Sequence, residues 1–191
     1  MVNAKIRLVI KMKKDTTLTT FHCPRWEELP DMDLYMDQVI TLLNTYLQEF
    51  CVKQQGKPIT STMINNYVKH GIVTPPIKKK YTKRHVAYLI VVCILKTIFR
   101  MDEISDLIRV QMDKYPQDQA YNYFCAELES CLACICARKR VRHIPSDDEG
   151  SPIVDLIRST IQAVAYSAYV RDSIMEYALP ETDEKNYPIE G

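Results

Sequence analysis

Glycine is scarce, with 4 in 191 residues. So few exclude a Gly-rich phosphate loop and argue against a turn-rich β-sandwich or barrel. Enzyme signatures are missing too. There is no G-x-S-x-G, no P-loop and no H-E-x-x-H, so the chain does not read as an enzyme and implies no cofactor. The carboxylate pairs Asp102-Glu103 and Asp147-Asp148 fall at a helix start or in a loop, where dipole complementarity and solubility explain them. Long apolar runs are lacking as well. The longest, residues 86–95, is about half of what spans a bilayer. The basic start has its apolar positions broken by Lys5, Arg7, Lys11 and Lys13, and no signal-peptide core follows. A cytoplasmic protein with no membrane partner is expected.

Cysteine is present in an odd number, 7, which suits a reducing compartment better than a disulfide framework. Four cluster at Cys125, Cys131, Cys134 and Cys136. On a straight helix Cys131 and Cys134 lie about 60° apart, but Cys136 points about 140° from Cys131. Such thiols cannot share one tetrahedral centre, and buried cysteines packing as small apolar groups are expected instead. His22, His85 and His143 have no Cys, Asp or Glu at ligand spacing, so no metal site is expected.

Acidic residues are absent from one long stretch. Residues 50–101 hold 10 basic and no acidic residues, where average density would place about six acids. The overall net charge of +1 conceals this, because residues 102–191 carry 17 acidic against 9 basic. Such asymmetry points to a polyanionic partner. The competing account is that the excess is solvated or neutralised by the acidic C-terminal half.

Apolar spacing of three and four predicts helices. Residues 1–14 alternate apolar and basic, as in a short strand or extended arm, and 15–33 read as a connector pinned by Trp26 and Leu29. Asp33 is positioned to cap a helix over 34–52, with Tyr35, Val39, Leu42, Leu43, Tyr46, Leu47 and Phe50 on one face. A short helix follows from Thr60 to His70, with Gly71 as its left-handed terminator. Residues 77–81 are too short for more than a tight loop or small wing. Thr82 opens a helix to about 99, apolar nearly all round and therefore central to the core. Asp102 is expected to cap a helix to about 112. Two long helices, 117–142 and 152–178, are expected to pair antiparallel, the second capped by Ser151 with Pro152 at its first position.

The functional signal lies in residues 59–108. The short helix exposes Ser61, Thr62, Asn65, Asn66 and Lys69, while Met63, Ile64, Tyr67 and Val68 face inward. Lys78, Lys79, Lys80 and Tyr81 follow at once, then Lys83 and Arg84. A helix in a major groove needs short donors and acceptors for base edges, with cations beside them for phosphates. The helix start at Thr60, Ser61 and Thr62 also suits a phosphate.

Residues 59–73, with Ile64, Tyr67, Gly71-Ile72-Val73 and the following prolines, resemble the second helix of the MerR-type winged helix-turn-helix. The basic segment before Thr82 resembles that family's wing, and residues 101–108 resemble its short helix after the core helix. The whole chain, including PRWEELPDMDLYMDQVI at 24–40, resembles a small bacterial family known only as a domain of unknown function, with a MerR-like core. The chain departs from MerR proteins in carrying Asn65-Asn66-Tyr67 where Arg-Tyr-Tyr is usual, and in its long leader. The resemblance implies an all-α fold with four parts. These are an arm and linker over 1–33, a helix-turn-helix domain over 34–115, a helical hairpin over 116–179 for dimerisation or ligand sensing, and an acidic tail over 180–191. With the charge it also implies a transcriptional regulator that binds double-stranded DNA, its C-terminal helices forming a homodimer or sensing a small-molecule effector, although no long dimerisation coiled coil and no familiar effector domain follows. The alternative is a protein-interaction module on the same scaffold that does not bind DNA.

Overall fold

The computed structural model describes residues 17–52, 56–112 and 114–178. The alternating segment at 1–14 and the acidic tail at 180–191 lie outside the described residues. Among the described residues the fold is all-α, with no strand. The helices are α1 (Met36–Tyr46), α2 (Ser61–Lys69), α3 (Lys83–Leu95), α4 (Met101–Met112), α5 (Gln117–Cys136) and α6 (Pro152–Ala178). Short 3-10 turns at Thr17–Thr20 and Trp26–Glu28 precede α1, and a π-turn at Gln48–Val52 follows it. No helix among the described residues is long and apolar enough to cross a membrane.

α3 is the centre of the core. Apolar residues on all its sides, including Val86, Leu89, Ile90, Val92 and Ile94, are buried. Its start is fixed by Thr82, whose backbone N–H donates to Nδ1 of His85 at 3.0 Å. It ends at Leu95, where the apolar run ends, and not at about 99 as expected. There the Thr97 hydroxyl donates to the Ile94 carbonyl at 2.7 Å, and the Lys96 ammonium to the Phe99 carbonyl at 3.2 Å. Side chains have taken over carbonyls that the helix ladder would otherwise use.

Two expected caps are corrected. Asp33 does not cap α1, because Leu34 is drawn into an isolated bridge with Tyr81, each N–H donating to the other's carbonyl at 2.8 Å. That pairing keeps the chain extended through residue 34. Tyr35 becomes the cap, its N–H donating to Gln38 Oε1 at 2.9 Å. The regular helix then ends at Tyr46 and not at 52. Asp102 does not cap α4 either. The Arg100 N–H donates to Glu103 Oε2 at 2.7 Å, while Asp102 takes the Arg100 guanidinium.

The two long helices pack together, but not antiparallel. α5 stops at Cys136, before the basic run, with Arg138 in the left-handed region at φ 54. The chain then runs back along α5 as a strap. Ser130 Oγ donates to the Arg142 carbonyl at 2.6 Å, the fully buried Glu127 accepts from the Ile144 N–H at 2.7 Å, and Tyr115 donates to Asp148 at 2.9 Å. α6 therefore starts beside the start of α5 and runs in the same sense. Arg158, in its second turn, donates to the Tyr123 hydroxyl at 2.9 Å, and its other nitrogens hold Glu149 and the Ile144 carbonyl. Pro152 does occupy the first position of α6.

The segment ahead of α1 is part of the core. Leu18, Phe21, Cys23 and Leu29 are buried. Its polar backbone is matched to α5. Glu129 accepts from the Cys23 N–H at 2.8 Å and from both Arg25 nitrogens at 2.9 and 2.5 Å. Tyr121 donates to the Pro24 carbonyl at 2.7 Å, and Asn122 accepts from the Trp26 N–H at 2.7 Å. Cys125 and Cys131 are buried, as expected of apolar packing, while Cys134 and Cys136 are partly exposed. Burial pushes the Cys131 thiol up to about 12.

Burial raises the Glu129 carboxyl, but Arg25, the Cys23 N–H and His22 outweigh it and hold the group below its ordinary range. A carboxylate held low in the folded state adds stability above its unfolded value, about pH 4.3, and loses it as pH falls through the lower folded value. Glu129→Gln is thus expected to lower the denaturation midpoint near neutrality and to flatten its fall in acid, measured by urea titration across pH.

Candidate nucleic-acid interface

α2 is built by local signals. Thr60 caps it, with its hydroxyl oxygen accepting from the Met63 N–H at 3.4 Å. Ile64 and Tyr67 are buried, and Met63 and Val68 are half-buried. That leaves Ser61, Thr62, Asn65, Asn66 and Lys69 exposed on the opposite face, with Thr60 exposed at its start. The helix closes in a Schellman turn, Ile72 N–H to Tyr67 carbonyl at 3.1 Å and Gly71 N–H to Val68 carbonyl at 3.0 Å. Gly71 stands at φ 70, which its neighbours could adopt only with strain.

Asn44 sets where α2 begins. Its side chain accepts from the Ile59 N–H at 2.7 Å and donates to the Ile59 carbonyl at 3.0 Å, so α1 grips the chain one residue ahead of the cap. The sequence reading missed this residue. Its only signal was an amide next to the buried Leu43 on an otherwise apolar stretch.

The segment after Pro76 is a two-residue hairpin. Ile77 and Lys80 exchange N–H to carbonyl bonds at 3.0 and 2.9 Å, with Lys78 at φ 50 and Lys79 at φ 66. These are the angles of a type I′ turn, which ordinarily selects Asn-Gly. Lysine there costs roughly 1 kcal/mol per residue in backbone strain. Lys78 and Lys79 are exposed. Lys80 is half-buried, its ammonium 5.4 Å from the centre of the Tyr35 ring.

Two of the expected contacts are not available. Tyr81 is only 2% exposed, with its ring edge-on to His85 and its backbone paired with Leu34, so it is a core residue. The Lys83 side chain is 17% exposed, lies 5.7 Å from the Trp26 ring centre and pairs with Asp31 at 2.6 Å. Arg84 is exposed. Lys57, which the sequence reading did not single out, is exposed ahead of α2.

The acids of the C-terminal half are engaged elsewhere. Among the described residues Glu127 meets His143, Glu129 meets Arg25 and His22, Asp148 meets Lys114, and Glu149 meets Arg158. Within the acid-free segment they reach only Arg100, through Asp102 and Glu103. Lys57, Lys69, Lys78, Lys79 and Arg84 make no ion pair among the described residues, so the described acids do not neutralise them.

A family model described as a domain of unknown function, DUF1836, matches residues 24–124. The chain belongs to this family. No curated protein and no solved structure matches it. The DUF1836 region runs from the segment ahead of α1 to the second turn of α5, wider than the 34–115 expected for one domain. Its two ends meet, since Pro24 and Trp26 are bonded by Tyr121 and Asn122. The unit thus closes on itself, and the strap and α6 are added outside it.

Gly71→Ala meets no atom within 4 Å, so only backbone strain opposes it. The substitution is expected to lower stability by about 1 kcal/mol, with Gly71→Asn costing less, as read from denaturation curves.

Proposed function

We propose that this protein is a DNA-binding transcriptional regulator in which α2 enters the major groove and the 77–80 hairpin is a small wing, as in MerR-type winged helix-turn-helix proteins. The observation that carries the reading is the hairpin tip. Lys78 and Lys79 occupy backbone positions that disfavour them, are exposed, and have no acidic partner among the described residues. Strain kept at a surface turn suggests that the charge is wanted there. The open face of α2 supports the same reading, with Asn65 and Asn66 offering amides suited to adenine and Lys69 offering a phosphate contact. Ser61, Thr62 and Lys57 complete the proposed contacts.

The test separates charge from fold. The double variant Lys78→Asn/Lys79→Gly creates the preferred type I′ sequence, so its fold should be at least as stable as the parent. It is expected to bind all duplexes more weakly, with the slope of log K against log salt shallower by about 1.8. Asn65→Ala and Asn66→Ala should instead blur sequence preference, by about 1–3 kcal/mol of discrimination, in selections from random duplexes. A parent protein that selects no duplex, or binds without salt dependence, would count against the reading.

A homodimer belongs to the same proposal. Beyond the exposed Asp155 of its first turn, exposed positions of α6 recur at three and four as Leu156, Ser159, Ala163, Tyr166, Val170 and Ile174, with no charge among them. An uncharged stripe of this length suits burial against a second copy. Val170→Glu is expected to convert a dimer to monomer in sedimentation while leaving helix content unchanged.

The alternative, a protein-interaction module, is favoured by one feature. Met32, Tyr35 and Ile77 are exposed around the Leu34–Tyr81 bridge and the hairpin. Capture of a stable protein partner without nucleic acid, lost in Ile77→Asp, would support it.

A further inference from the structure

A cleft of about 140 Å³ opens between α3, α4 and α5. It exists because small side chains face it, Ala87 from α3 and Ala120 from α5. Its walls are otherwise large and apolar or aromatic, with Val91, Ile108, Tyr121 and Phe124 among them. A cavity of about 150 Å³ lined by such groups accepts a benzene-sized molecule. The space therefore suits an apolar body of about six carbon atoms and is too small for a nucleotide or other large effector.

The polar groups narrow the class further. Among the described residues Arg84 is the one charged residue lining the cleft, and no acidic residue lines it. Its guanidinium makes no hydrogen bond or ion pair among the described residues, although its backbone carbonyl accepts from Gln117 at 3.4 Å. The hydroxyls of Tyr121 and Tyr115 are already committed, to the Pro24 carbonyl at 2.7 Å and to Asp148 at 2.9 Å, so both contribute rings. The Tyr88 hydroxyl has no partner among the described residues. A guanidinium and a phenolic hydroxyl one helical turn apart on α3, both lining the same apolar space and neither with a partner among the described residues, suit a carboxylate.

We propose that this cleft binds a small monocarboxylate with an apolar body, such as an aryl or medium-chain alkyl acid, its carboxylate held by Arg84 and Tyr88 and its body by the aromatic wall. The site lies between the core helix and the start of α5, not between the two C-terminal helices. Binding here does not depend on DNA, and it is tested without DNA so that the two readings stand or fall separately.

The test is calorimetric titration of the full chain with phenylacetate and with hexanoate, and with phenylacetamide and phenethylamine as neutral and cationic controls. The acids are expected to bind at least about ten-fold more tightly than either control. Arg84→Gln, at an exposed position, should bring the acids down to the affinity of the amide. Ala120→Leu should abolish binding of acid and amide alike by filling the space, with circular dichroism checking the fold of each variant. The proposal is overturned if neither acid binds, if amide and acid bind equally, or if Arg84→Gln or a folded Ala120→Leu binds the acids as the parent does.

Discussion

Glu127 and Glu129 stand two residues apart on α5, about 200° apart around the helix, and each captures a different piece of chain. Glu129 accepts the Cys23 N–H and the Arg25 guanidinium, which joins the segment ahead of α1 to the body. Glu127, fully buried, accepts the Ile144 N–H and meets His143 at 2.5 Å, which holds the returning strap. A buried carboxylate such as Glu127 is tolerated only when its lone pairs are filled, and the half-buried Glu129 is bonded at both oxygens as well. α5 thus acts as a post with a polar clamp on two sides. The order of everything else around α3 follows from what those clamps hold.

The same economy explains the charge distribution. Described acids of the C-terminal half are used within that half, on the leader or on Arg100, and most cations of the basic middle are left without an acidic partner among the described residues. Short-range devices then aim those cations. The Leu34–Tyr81 bridge ties the hairpin to the start of α1, Asn44 ties the start of α2 to the last turn of α1, and the Schellman turn at Gly71 delivers the chain from one to the other. None of these requires a large buried area, so the proposed reader rests on hydrogen-bonded joints around a core set by α3.

Much of this was legible in residue order. Thr60, Gly71, Thr82 and Pro152 are terminal signals whose effect reaches only a few residues, and all four act as their chemistry suggests. The all-round apolar run at 86–95 had to be buried, because no amphipathic arrangement could leave it wet. Other boundaries depended on partners far along the chain. Asp33 has the right chemistry for a cap, yet Leu34 was claimed by Tyr81, some 47 residues away. Tyr81 and Lys83 look like surface groups beside lysines, and only their packing against His85, Trp26 and Asp31 withdraws them. Asn44 carries only the weak signal of an amide in an apolar stretch, since its role is defined by the chain it meets.

Local sequence determined where several helices start, which faces are apolar, and that about a quarter of the chain carries charge of a single sign. Those properties depend on dihedral preference, capping and periodicity, which act over one or two turns. Tertiary structure alone decided that the two long helices run in the same direction, because that follows from a strap captured by Glu127, Ser130 and Tyr123 and not from the length of the loop. It alone decided which lysines remain free and that Arg84 borders a cleft. Ion pairing and cavity formation are properties of surfaces brought together from distant positions, and no window of sequence contains both sides.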